Sequence, residues 1–270
     1  MSAAAGEDPR IERLGPGVTA VVAENPGPLT LDGTRTYVIG RHRVAIVDPG
    51  PVQTAHLDRV ASVVAGRPVA AVCLTHSHSD HAAAAVDAAA RWGLLRASAD
   101  ALARLGVDGS ALADGEAVTL GEDESLVALS TPGHSGDHLA YLHLPDRELF
   151  TGDLVLGAGS SMVAYPDGSV REYIESLTRL LSLDVARLLP GHGPPVDAPA
   201  HKLEEYRAHR LLRTHEVRLA LDRGPTTRAE LRELVYGVVP DGLVRAADLS
   251  LLAHLEHARE QGYPVPTLPD

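Results

Sequence analysis

The sequence predicts an α/β domain followed by a small helical appendage, and three observations carry that reading. Short β-like runs alternate with amphipathic segments as far as about residue 197, the pattern of strands and helices that share one core. One run, "PVAAVCLTH" (68–76), is apolar without alternation, as a strand buried on both faces is. After about residue 199 the β-like runs stop and every segment reads as helix.

Taken in order, residues 1–12 are polar and read as loose. "VTAVVAE", "TRTYVIG" and "RVAIVDPG" follow as strands, the last stopped by a Pro-Gly turn. "TAHLDRVASVVAG" (54–66) is a helix with Leu57, Val60, Ala61 and Val64 on one face and Gly66 placed to end it. "DHAAAAVDAAARWG" (80–93) is helical by propensity. "EAVTL", "SLVALSTPG", "HLAYLHLP" and "ELFTGD" read as strands. "REYIESLTRLLSL" reads as a helix with Ile174, Leu177, Leu180 and Leu181 together, and "VARLLPGHGPPV" as a last strand entering a turn. The tail holds a long amphipathic helix from 200 to 222, then "TTRAELRELVYG" with a capping box of Thr227 and Glu230, then a helix ending at Gly262. The expected division is an α/β domain over 13–199 and a helical domain over 200–270.

Composition narrows the function classes. Aromatic residues are only 3 % of the 270, so the core must come from Leu, Val, Ile and Ala. The net charge of −12 weighs against a nucleic-acid partner, because phosphate contacts need Lys and Arg. The single cysteine, Cys73, rules out an intrachain disulfide and reads as a small buried hydrophobe. No apolar run approaches ~18 residues, so no membrane span is expected. The first residues do not read as a signal peptide, which makes a cytoplasmic location the expectation.

The chemistry concentrates in four turns. "THSHSDH" (75–81) gathers His76, His78, Asp80 and His81 directly after the apolar strand. On an extended segment His76 and His78 point the same way. A helix starting near Ser79 would turn Asp80 and His81 back toward the strand end. Imidazole and carboxylate are zinc donors. "TPGHS" offers His134, "FTGD" offers Asp153, and "LLPGHG" holds His192 between two glycines that let backbone approach closely. Each alone is weak; together, each after a predicted strand, they could meet at one edge of a sheet. His138 could support a ligand or touch substrate. Ser160 and Ser161, in "GAGSSM", could line a pocket. His143 reads as structural, and His201, His209, His215, His254 and His257 as packing or solvated helix residues.

These motifs, in this order and with "VDPG" at 47–50, resemble the metallo-β-lactamase superfamily over about residues 17–197. "TPGHSGDHLAY", "GDLVLGAGSS" and the tail "KLEEYRAHR" look like its lactamase-beta-2-like branch. The resemblance implies a four-layer αββα sandwich with a winged-helix-like C-terminal domain and two Zn2+ per subunit, other divalent metals being compatible with the same donors. It also implies the ligand set: His76, His78 and His134 on one metal, Asp80, His81 and His192 on the other, and Asp153 bridging. Asp80 and Asp153 would then be catalytic in placing a metal-bound hydroxide. One departure is visible: Ala82 to Ala85 stand where the family usually has a glycine. The additional substrate-binding residues of lactam-hydrolysing members are not found, so a true β-lactamase is not expected. Three readings follow. The leading one is a hydrolase of an ester, thioester or similar small acyl substrate, free or on an acyl carrier protein. The second is a single-strand-selective endoribonuclease, which the charge disfavours. The third, a non-catalytic binding module, is disfavoured because all seven ligand positions are filled.

Overall fold

The computed structural model of the protein describes residues 8–269; the expectation of a loose start over residues 1–7 lies outside them. The chain forms two compact units. One comprises residues up to 130, 137–159 and 185–197. The other comprises 131–136, 160–184 and 198 onward. The second unit therefore takes in two segments upstream of the tail that was expected to form a domain from residue 200.

The first unit is a two-sheet sandwich. One sheet holds β1 (Ile11–Gly15), β2 (Val18–Val22), β3 (Arg35–Ile39), β4 (Val44–Val47), β5 (Val69–Cys73), β6 (Leu95–Ala97) and β7 (Ser110–Ala111) in that order. The other runs β12 (Arg187–Pro190), β11 (Glu148–Gly152), β10 (Leu139–Leu144), β9 (Ser125–Ser130), β8 (Ala117–Thr119). β1 lies partly in the stretch expected to be loose; it pairs antiparallel with β2.

Period-two alternation explains why these strands are apolar throughout. Val18 and Ala20, Tyr37 and Ile39, Ala45 and Val47, and Ala71 and Cys73 face the second sheet. There they meet Leu126, Ala128, Tyr141, Phe150 and Leu189. The intervening Val21, Val38, Val44, Ile46, Val72 and Leu74 face the other way. They pack on α1 (Thr54–Val64), α3 (Ala85–Trp92) and α4 (Ala99–Leu105) through Leu57, Val60, Val64, Ala85, Ala88 and Ala101. The Tyr37 and Phe150 rings meet edge to face, 4.9 Å apart, and Cys73 is buried among these residues as expected.

The alanine-rich helix expected over 80–93 is two helices, α2 (Ser79–Ala82) and α3. Alanine propensity gives no signal for the break. It comes from tertiary bonding: Gly50 N donates to His81 O, and Ala84 N donates to Gly50 O instead of to the carbonyl four residues back.

His56 is buried in α1, with Nε2 against Thr36 Oγ1 at 2.7 Å and no partner for Nδ1. Burial, then the charges of Arg59 and Arg10, push its pKa down to about 4. A lowered histidine pKa contributes stability that is present above about 6.5 and lost as pH falls toward 4. The urea midpoint of His56→Gln is therefore expected to converge on wild type as pH drops from 6.5 to 4. A pH-independent offset would count against this account.

The second unit is helical, with α5 (Val170–Leu181), α6 (Pro199–Leu221), α7 (Arg228–Tyr236) and α8 (Val244–Glu260). Val217, Leu221, Leu231, Leu251 and Leu255 form its apolar centre. The capping box at Thr227 and Glu230 is present. The face α5 buries runs through Val170, Tyr173, Leu177 and Leu180, not Ile174 and Leu181. Among the described residues this unit has no strand, and no helix is long and apolar enough to cross a membrane.

Candidate metal centre

The loop after β5 carries His76 and His78 and enters α2 at Ser79, so Asp80 and His81 occupy its first turn. The loop is fastened on both sides. Leu139 N donates to Thr75 O, Tyr141 Oη donates to Leu74 O, and Ser77 N donates to Asp137 Oδ2. His76 is fully buried, with rings 4.5 Å from His78 and 4.4 Å from His81.

Asp153 follows β11, and His192 sits on the turn after β12. These two and the α2 pair converge. The Nε2 atoms of His81 and His192 lie 3.1 Å apart. Asp153 Oδ1 stands 3.2 Å from the first and 3.3 Å from the second. Asp80 Oδ2 stands 3.5 and 3.1 Å from them. Asp80 is the most exposed member, its side chain at 28 %.

Each imidazole is aimed from behind. Asp48 Oδ2 accepts from His81 Nδ1 at 2.8 Å, and Gly33 O accepts from His192 Nδ1 at 3.3 Å. Both rings thus carry their proton on Nδ1 and present the Nε2 lone pair to the cluster. Asp48 also accepts from Thr75 N and Thr75 Oγ1, both at 2.7 Å, and is itself buried in a left-handed conformation with φ 54°. The sequence places Asp48 at a strand stop, in the "VDPG" motif, without a role at the site. The available signal was an acid at the end of an apolar strand immediately before Pro-Gly.

Two lone pairs and two carboxylates in contact need positive charge between them. The four ligand atoms lie within 4.8 Å of one another, a nitrogen and oxygen donor set that suits a divalent cation. Protons fill the role otherwise. Burial disfavours a charged His81, yet Asp153 and Asp48 raise its pKa well above the ordinary value. His192 is raised to about 9 against burial by Asp153 and Asp80. Asp153, against burial, is held well below the usual carboxylate range by His81 and His192. A metal would displace those imidazole protons.

The glycine before His192 is required by this crowding. A Cβ on Gly191 would stand 2.6 Å from His81 Cε1 and 2.9 Å from Asp153 Oδ1. Gly191→Ala is expected to weaken metal affinity at least about tenfold, read by competition with a chromogenic chelator. An unchanged affinity would show that the cluster does not hold the metal.

The remaining candidates fall in different places. His138 is buried, its ring 5.3 Å from His76. His143 is buried with Nε2 3.1 Å from Glu124 Oε1, a structural position. His134, Ser160 and Ser161 belong to the helical unit. There the 131–136 loop lies on α5: Ser169 N donates to Gly133 O and Ser176 Oγ to Pro132 O. A Cβ on Gly133 (φ 136°) would stand 2.3 Å from Tyr173 Cα. His134 Nδ1 donates to Met162 O at 2.7 Å, which makes Nε2 its acceptor nitrogen. Ser161 Oγ is 3.2 Å from the same Nδ1. His254 and His257 are buried in α8, as packing residues are.

Sandwich, ligand-bearing turns and the order of the motifs define a metal-binding hydrolase fold, and residues 29–192 match the model of the metallo-beta-lactamase superfamily. The chain belongs to that superfamily and has its αββα fold. It is 30 % identical over 245 residues to the beta-lactamase-like protein 2 homolog of Caenorhabditis elegans, covering 85 % of this chain and 80 % of the relative. To the atrochrysone carboxyl ACP thioesterase of Aspergillus fumigatus it is 31 % identical over 249 residues, 86 % and 77 % of the two chains. The crystal structure of a metallo-beta-lactamase family protein from Thermus thermophilus superposes with a TM-score of 0.76 at 25 % identity, over 93 % of this chain and 95 % of that one.

Proposed function

We propose that this protein is a dinuclear zinc hydrolase of acyl thioesters. His76, His78 and His134 would hold one zinc. Asp80, His81 and His192 would hold the other, with Asp153 shared. The observation that carries this reading is the convergence of the His81, His192, Asp80 and Asp153 ligand atoms. The thioester class is supported by the similarity to a relative named as an acyl-carrier-protein thioesterase.

When bound, two such cations supply a nucleophile at neutral pH and neutralise charge on the attacked carbonyl. The chain's own part is preorganisation. Asp48 and the Gly33 carbonyl fix the rotation and tautomer of His81 and His192. Asp153 stays anionic at neutral pH because two imidazoles face it. Asp80, the member open to solvent, marks the side from which substrate arrives.

Zinc-loaded protein should be assayed in parallel on acyl thioesters, simple esters and single-stranded RNA. Release of thiol, abolished in Asp80→Ala, is the expected result. Cleavage of RNA alone, abolished by the same substitution, would overturn the acyl reading and make the protein a nuclease.

A further inference from the structure

The helical unit holds a cavity of about 320 Å3, and none of its lining residues is a candidate metal ligand. Arg210 and Arg213 of α6 give the lining its charge, and Met162, Val239, Leu243 and Ala247 give it an apolar surface. The volume sits near the lower end for small-molecule sites, ~300–1,000 Å3, which suits one ring-sized body better than a long chain.

Arg210 is the unusual residue. It is 3 % exposed, and among the described residues no carboxylate forms an ion pair with it. One guanidinium nitrogen donates to Ser161 O, the group lies 5.0 Å from the centre of the Tyr173 ring, and Nε is buried with no hydrogen-bond partner. A single carbonyl uses one of the five donors of a guanidinium. A buried cation without a counter-ion is costly, and the ring offsets only part of that cost. Arg213 is different: Glu216 stands 3.1 Å from it, and Val235 O accepts from it.

The neighbouring histidines register the excess of positive charge. Burial and then the Arg210 and Arg213 charges hold both His209 and His254 below their ordinary pKa. Glu216 and Glu205 act the other way on His209 without reversing the shift. His254 Nδ1 is 3.0 Å from Thr214 Oγ1, which donates to Arg210 O. Neither contact brings negative charge to the guanidinium.

We propose that this cavity binds a small organic anion, a carboxylate on a compact apolar body, with the carboxylate paired to Arg210 and the body against Met162, Val239, Leu243 and Ala247. A carboxylate matches the planar fork of a guanidinium. The apolar lining favours an anion with a hydrocarbon body over a bare oxyanion such as phosphate. The site belongs to the helical unit alone, and its occupancy does not depend on the thioesterase reading of the metal centre.

The methionines of the chain are Met1 and Met162, so 13C-methyl labelling of methionine places an NMR reporter in the cavity lining of the full-length protein. The probes are 4-methylbenzoate, its neutral counterpart 4-methylbenzyl alcohol, and inorganic phosphate. Titration with 4-methylbenzoate is expected to move the Met162 methyl resonance to saturation. The alcohol, which lacks the charge, and phosphate, which lacks the body, should each bind at least tenfold more weakly. Arg210→Gln should weaken 4-methylbenzoate at least tenfold, and Arg210→Lys should restore part of the affinity. A Met162 resonance that 4-methylbenzoate leaves unmoved overturns the proposal, even if calorimetry detects binding elsewhere. So does an alcohol or phosphate that binds as tightly, or an affinity untouched by Arg210→Gln. Should Arg210→Gln not fold, Ala247→Phe takes its place by filling the cavity from its apolar lining. It should abolish binding, and an undiminished affinity overturns the site.

Discussion

Asp153→Ala is expected to abolish function more completely than any other single change in the centre. Its carboxylate faces both Nε2 atoms at 3.2 and 3.3 Å, so removing it takes away the more buried of the two carboxylates that face both imidazoles. Loss of a preorganised electrostatic partner costs roughly 10²–10³ in turnover. Here the loss should coincide with a fall in bound metal per chain, measured by atomic absorption after dialysis. The metal-free protein gives a second readout. His192 is raised to about 9, with Asp153 the first of the groups raising it, so its NMR titration midpoint should move down in the variant. A variant that kept its metal and its activity would remove the basis for a shared ligand.

Asp48→Asn is expected to have the next largest effect, although Asp48 is no proposed ligand. The carboxylate accepts three hydrogen bonds, from Thr75 N, Thr75 Oγ1 and His81 Nδ1. An amide can accept on only one of its two atoms, so one buried donor is turned against another. The cost of such a mismatch is about 1–3 kcal/mol, read as a lower urea midpoint. Freed from its anchor, His81 can rotate, and loss of an outer partner of a ligating histidine typically weakens metal binding roughly 10–100-fold. The two readouts should move together. Weakened stability with unchanged metal affinity would mean that Asp48 serves only the fold.

The difference between these two aspartates shows what sequence can and cannot convey here. Asp153, His192 and the 76–81 run are visible because their residue types are rare together and follow predicted strands. The start of α2 at Ser79, which aims Asp80 and His81, could be anticipated from the same spacing. Asp48 could not be assigned in that way. Its role depends on β4 lying parallel to β5 with Val47 beside Cys73, a pairing that sets it next to Thr75 across 27 positions of chain. The broken alanine helix failed for the same reason: its stop is the Gly50 carbonyl, which accepts from Ala84 N. Strands as short as β6 and β7, three and two residues, leave too little alternation to be read. Amphipathic periodicity marked α5 as a helix but carried no information about which compact unit it joins.

That last point bears on how this protein can be taken apart. The helical unit is assembled from three separate stretches of chain, and the first of them, 131–136, bears His134. Its turn is bonded to α5 and to the Met162 carbonyl. The tail after residue 199 falls in one compact unit with these upstream segments. Deleting it, or exchanging it for a relative's tail, removes the Arg210 donor from the carbonyl of Ser161, whose Oγ lies 3.2 Å from His134 Nδ1. Inheritance of the sandwich and inheritance of the helices are tied to each other, and recombination between relatives should preserve activity only when 131–136, 160–184 and the tail travel together.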